Sequence, residues 1–130
     1  MAIAADSVAG GLPAWRVRHV TEHIEQNLDK ALPLTELAGV VYMNRFHFAH
    51  LFRRSTGEPP HRFVIRQRIA RACEYLARSE QTIAEISRRV GFRTPSHFTT
   101  MFRRLSGVTP TGYRIEHARA PRPHDDGGAQ

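Results

Sequence analysis

The chain has 130 residues, 41% of them hydrophobic, which suits one small domain or two very small ones and excludes a large core. Its formal net charge is +7, and its single cysteine, Cys73, excludes an intramolecular disulfide and a cysteine-based zinc site. No apolar run approaches membrane-spanning length and no charged-then-apolar leader opens the chain, so a cytoplasmic location and no membrane contact are expected.

In chain order, residues 1–14 are small and Gly-rich and are expected to form a disordered lead. Val17, Val20, Ile24 and Leu28 fall on one helical stripe, followed by Pro33. Leu34, Leu37, Ala38 and Val41 predict a second, short helix. Asn44 is a good N-cap for a third, with Phe48, Leu51 and Phe52 on one face and Gly57, Pro59 and Pro60 ending it. Phe63, Ile65, Ile69, Ala72, Tyr75 and Leu76 mark a long helix over about 60–78. Thr82 and Glu85 have capping-box spacing ahead of Ile83, Ile86 and Val90, and Gly91 ends that short helix. Thr94-Pro95 is an N-cap and first-turn pair opening a helix with Phe98, Met101, Phe102 and Leu105, stopped by Gly107 and Pro110. From about residue 118 the chain is a polar tail without periodicity, expected to be disordered. No alternating stretch predicts a strand.

Charge is placed unevenly. Residues 45–104 hold thirteen arginines against four acidic residues, more than the net charge of the whole chain. A basic stretch of this kind is the footprint of a phosphate-binding surface, or more simply a solvated Arg-rich face.

Internal repetition is more specific than charge. His47-Phe48-x-x-x-Phe52-Arg53-Arg54-x-x-Gly57-x-x-Pro60-x-x-Phe63 recurs fifty residues later as His97-Phe98-x-x-x-Phe102-Arg103-Arg104-x-x-Gly107-x-x-Pro110-x-x-Tyr113. Upstream the offset is 49, with Leu37 corresponding to Ile86, so the first turn is one residue shorter. Each unit reads as a short helix, a tight turn, a second helix and a glycine stop. That is the helix-turn-helix, whose second helix enters the DNA major groove while the first crosses behind it.

The expected fold is therefore all-α: two helix-turn-helix subdomains, at 15–63 and 79–117, joined by a long linker helix at 60–78. The phenylalanine pairs would anchor each reading helix on its own core and leave the opposite polar face for base edges. A linker of about 18 residues spans roughly 27 Å. With the flanking helix widths, that would put two reading helices near one DNA turn apart, about 34 Å. With two reading heads in one chain, a monomer suffices.

These residues resemble the DNA-binding domain of the AraC/XylS transcription regulators over about Val17 to Arg114. The match is densest at Ile83-x-x-Ile86-x-x-x-x-Gly91-Phe92-x-x-x-x-x-Phe98-x-x-x-Phe102-Arg103-Arg104-x-x-Gly107-x-Thr109-Pro110-x-x-Tyr113-Arg114, and Arg68-Ile69-x-x-Ala72-x-x-x-Leu76 is similar to the family's linker helix. The resemblance implies a bacterial regulator that binds double-stranded promoter DNA and commonly activates through RNA polymerase. It maps base contacts to Phe46, Ala49 and His50 in the first reading helix and to Ser96, His97 and Thr100 in the second. The family often has Arg where His50 and Thr100 stand, and Ser where Asn44 caps. Arg45, Arg53, Arg54, Arg88, Arg89, Arg93, Arg103 and Arg104 are the candidate phosphate contacts, although those late in a helix also suit its dipole. The few residues before the first helix cannot form the effector domain many members carry, so the chain is either a small regulator in itself or the C-terminal part of a longer one.

Other readings weigh less. His19/His23 and His47/His50 are spaced like zinc ligands but lack a third partner nearby, so they read as surface or groove histidines. His97 repeats His47, leaving packing and base reading both open there. Cys73 reads as a small core residue, and Phe46 as a groove residue more than a core one. No nucleophile–base array, paired carboxylates or phosphate-cradling glycine loop is present, so neither catalysis nor a cofactor is expected. A non-specific nucleoid-type protein and a helical protein-docking module remain as competing classes, separable by the ratio of specific to random DNA binding.

Overall fold

The computed structural model describes residues 10–118; most of the expected lead and all but the first residue of the expected tail lie outside them. The described residues form seven α-helices: α1 (Ala14–Gln26), α2 (Leu34–Val40), α3 (Arg45–Thr56), α4 (Pro60–Arg78), α5 (Ile83–Arg89), α6 (Pro95–Ser106) and α7 (Pro110–His117). No strand occurs among the described residues. The chain divides into two units, with the division after Gln67, inside α4.

Local chemistry sets several of the helix ends. Asn44 accepts hydrogen bonds from the Phe46 and His47 amides, satisfying two donors that the first turn of α3 would otherwise leave open. Thr82 and Glu85 form a reciprocal capping box on α5. Thr94 accepts from the His97 amide, with Pro95 at the first position of α6. Gly57 and Gly107 close α3 and α6 in nearly the same left-handed conformation, φ 89° and 86°, so the repeat holds at the level of single dihedral angles.

In the first unit Val20, Ile24, Leu28, Leu37, Ala38, Val41, Phe48, Phe52 and Val64 form one buried cluster. Leu28 keeps its place in the core although α1 has ended at Gln26. The cluster also contains Leu12, which is only 1% exposed. Its amide donates to Ser55 Oγ at 2.7 Å, near the C-terminal end of α3. Gly10 to Pro13, expected in the lead, therefore pack on the folded unit, where Leu12 adds apolar burial, and one residue among small ones leaves no periodic signal in the sequence.

In the second unit Ile69, Ala72, Leu76, Ile86, Val90, Phe92, Phe98 and Phe102 are buried. The rings chain together edge to face or tilted: Phe92 to Phe98 at 5.4 Å, Phe98 to Phe102 at 5.7 Å and Phe102 to Tyr113 at 5.7 Å. Helix α4 thus contributes Val64 to the first core and Ile69, Ala72 and Leu76 to the buried residues of the second unit. Leu105, expected on the apolar face of α6, is 42% exposed. It lies in the last turn of the helix.

Helix α7 was not among the expected elements, although its signal is present. Thr109 accepts from the Gly112 amide and Pro110 takes the first position, as Thr94-Pro95 does for α6. In the repeat it stands where α4 begins. From α7, Arg114 donates through Nε to the Leu76 carbonyl at 3.0 Å and through Nη2 to the Ser79 carbonyl at 3.1 Å. A cation thereby satisfies carbonyls at the end of α4 that lack helical partners. Burial raises the Cys73 thiol above its ordinary value, opposed by a hydrogen bond from Tyr113.

Candidate nucleic-acid interface

Two helix pairs carry the candidate residues. In the first unit α2 and α3 are joined by residues 41–44, and in the second α5 and α6 by residues 90–94; the one-residue difference is the change of offset seen in the repeat. In the second turn Gly91 takes φ 94°. In the first, the corresponding residue is Tyr42, at φ 59°, a left-handed conformation that costs a side-chain-bearing residue about 1–2 kcal/mol. Its side chain is 90% exposed, so no packing offsets that cost. The second turn is braced by Ser87, fully buried, whose hydroxyl donates to the Thr94 carbonyl at 3.4 Å.

Each twelve-residue second helix has two faces. On α3 the buried pair Phe48 and Phe52 face the core, while Phe46 and His50 are exposed and Ala49 is half-buried. On α6 the buried pair Phe98 and Phe102 face the core, while Ser96, His97 and Thr100 are exposed. Within each unit the three residues expected to meet bases therefore lie off the buried face of one helix. His97 also packs edge-on against Phe92, centroids 5.3 Å apart, so packing and exposure coexist at that residue. On α6, Thr99, Thr100, Arg103 and Arg104 line an open cleft of about 400 Å³. Thr99 was not singled out in the sequence, although the fifty-residue repeat makes it the counterpart of Ala49.

All eight candidate phosphate arginines are exposed, but they are not equivalent. Arg45, Arg53, Arg88, Arg93, Arg103 and Arg104 have no acidic partner among the described residues. Arg45 lies over the Phe46 ring at 4.7 Å. Arg89 is turned to its own unit: it sits over the Tyr75 ring at 4.7 Å and donates to Gln81 Oε1 at 3.3 Å. Arg54 lies against Gly10, where an added Cβ would come within 2.7 Å of its Nε. Other arginines of the basic stretch have internal roles. Arg66 is held by Glu58, 2.8 Å away, which pushes its pKa up, while burial lowers that of Arg68.

The histidine pairs hold no metal cluster: among the described residues no three His, Cys, Asp or Glu side chains group as ligands. His23 instead contacts Glu36 at 2.6 Å. No helix among the described residues is long and apolar enough to cross a membrane.

Comparison with known proteins adds to this geometry. A family model described as a helix-turn-helix domain matches residues 37–116. The probable transcriptional regulator LumQ of Photobacterium leiognathi is 33% identical over 96 residues, which is 74% of this chain and 39% of LumQ; the chain thus spans about two fifths of that relative's length. The crystal structure of the DNA-binding domain of AdpA, a global transcriptional factor, in complex with a target DNA superposes with a TM-score of 0.77 at 32% identity, covering 82% of this chain and 97% of that one. A regulator with an AraC-type DNA-binding domain from Chromobacterium violaceum has a TM-score of 0.76 at 24% identity, over 81% and 94% of the two chains, and shares the fold.

Proposed function

Because the chain belongs to the AraC/XylS family of transcription regulators, we propose that it binds promoter DNA sequence-specifically by placing α3 and α6 in two successive major grooves, and that it activates transcription through RNA polymerase. The observation that carries this reading is the paired construction of α3 and α6. Each is capped, anchored by two buried phenylalanines and left with exposed side chains opposite that anchor. Such a helix presents side chains to base edges without disturbing its own core. That the related AdpA domain is seen on its target DNA supports double-stranded DNA as the ligand.

In this reading Phe46, Ala49, His50, Ser96, His97 and Thr100 meet bases. Arg45, Arg53, Arg88, Arg93, Arg103 and Arg104 supply phosphate contacts, which fix register without reading sequence. Arg54 and Arg89 contribute less, because the structure already engages them. The two helices carry different side chains at the positions the repeat makes equivalent, Phe46 against Ser96 and His50 against Thr100, so the site is asymmetric and one chain suffices to fill it.

Selection of bound sequences from a random pool, with the wild-type chain and with His50→Ala and Thr100→Ala, tests the arrangement. Each variant should relax preference at its own base pairs, the two sets about one DNA turn apart, at a cost of about 1–3 kcal/mol per lost contact. Loss of preference at the same base pairs in both variants would refute it. A selection that enriches nothing would favour the non-specific class.

A further inference from the structure

The two reading helices are built for different chemistry. On α6 the three base-reading positions are Ser96, His97 and Thr100, each able to donate or accept a hydrogen bond. On α3 two of the three, Phe46 and Ala49, have no polar atom in the side chain. They are three residues apart and so neighbour each other on the helix surface.

Phe46 is 68% exposed, although it is a large apolar ring in the first turn of a capped helix. Its ring contact is the Arg45 guanidinium, 4.7 Å from the centroid. It borders an open cleft of about 440 Å³, lined also by Thr35, Ala38, Met43, Asn44 and Arg45, of which Ala38 and Met43 are apolar. The ring is thus held in place by its helix while its outer surface stays uncovered. Burial on binding would recover the apolar surface left in water here.

The major groove offers an apolar group at one base only, the C5-methyl of thymine, and side chains such as Phe and Ala make that contact. Resting on the DNA-reading role of α3, we infer that the first unit selects thymine through its methyl group, with Phe46 as the specificity-determining residue and Ala49 beside it. Arg45, lying over one face of the ring, steadies it and neutralises a phosphate of the same half-site. The second unit selects by hydrogen bonds instead.

The test uses the full chain and the duplex returned by the selection described above. Each thymine is replaced in turn by deoxyuridine, which removes the methyl group and leaves base pairing intact. Wild type should lose about fourfold in affinity at one or more thymines of the α3 half-site, the equivalent of about 0.8 kcal/mol for one buried methyl group. In Phe46→Ala the same replacement should change nothing, and Phe46→Leu should recover part of the sensitivity. Methylating cytosine at C5, where cytosine replaces that thymine, should restore part of the wild-type affinity and none of the variant's. A specific site with a flat deoxyuridine scan, or with equal sensitivity in wild type and Phe46→Ala, overturns this inference and leaves the DNA-reading role of α3 standing. A selection with no enriched sequence overturns both.

Discussion

Truncating Phe102 to alanine tests the second core directly. The side chain is 0% exposed and its ring lies 5.7 Å from both Phe98 and Tyr113. Burial of an aromatic side chain removes at least about 150 Å² from water, and at about 25 cal/mol per Å² that corresponds to nearly 4 kcal/mol. The two aromatic contacts and the cavity left behind add to this, while the alanine methyl retains part of it. The net loss should be about 3–5 kcal/mol. A unit of this size has little more than that to lose, since whole domains are stable by only about 5–15 kcal/mol. Urea unfolding followed by circular dichroism should show the midpoint falling by about 2 M, taking a slope near 2 kcal/mol per M, or the second unit already unfolded in water. Leu105→Ala, on the same helix but 42% exposed, is the control and should cost well under 1 kcal/mol. A Phe102→Ala midpoint within a few tenths molar of wild type, or equal losses in the two variants, would mean that α6 is not anchored by its ring chain.

Other outcomes follow from local geometry. Tyr42→Gly should raise the thermal midpoint by a few degrees, because glycine adopts φ 59° without the steric cost even after its greater unfolded-state entropy is charged against it; a lower midpoint would show that the exposed ring stabilises the turn. Thr82→Ala breaks the capping box and should cost about 1 kcal/mol in the same urea experiment, with no change pointing to a replacement cap. DNA binding should weaken steeply with salt, with a log–log slope near −4.5 if about five phosphates are neutralised. The stoichiometry by analytical ultracentrifugation should be one chain per site, and two chains on the shortest specific duplex would refute the monomer reading.

Much of this fold is legible in the sequence because the signals are local. A cap is one side chain bonded to amides two or three residues on, so Asn44, Thr82 with Glu85, and Thr94 with Pro95 mark helix starts wherever the rest of the chain goes. A left-handed stop needs only a glycine, hence Gly57 and Gly107. The repeat multiplies these signals by two and carries the family with it. Helix α7 was equally legible through Thr109 and Pro110, whose local grammar matches that of α6. Long-range packing has no such local mark. Leu12 in the first core, Arg54 beside Gly10, Arg89 drawn to Tyr75 and Gln81, and Arg114 on the carbonyls of Leu76 and Ser79 join residues from different elements. An arginine that satisfies a buried carbonyl and one that waits for a phosphate are the same letter in the sequence. What separates them is the company each guanidinium keeps, and only the tertiary structure, by bringing distant segments together, decides that.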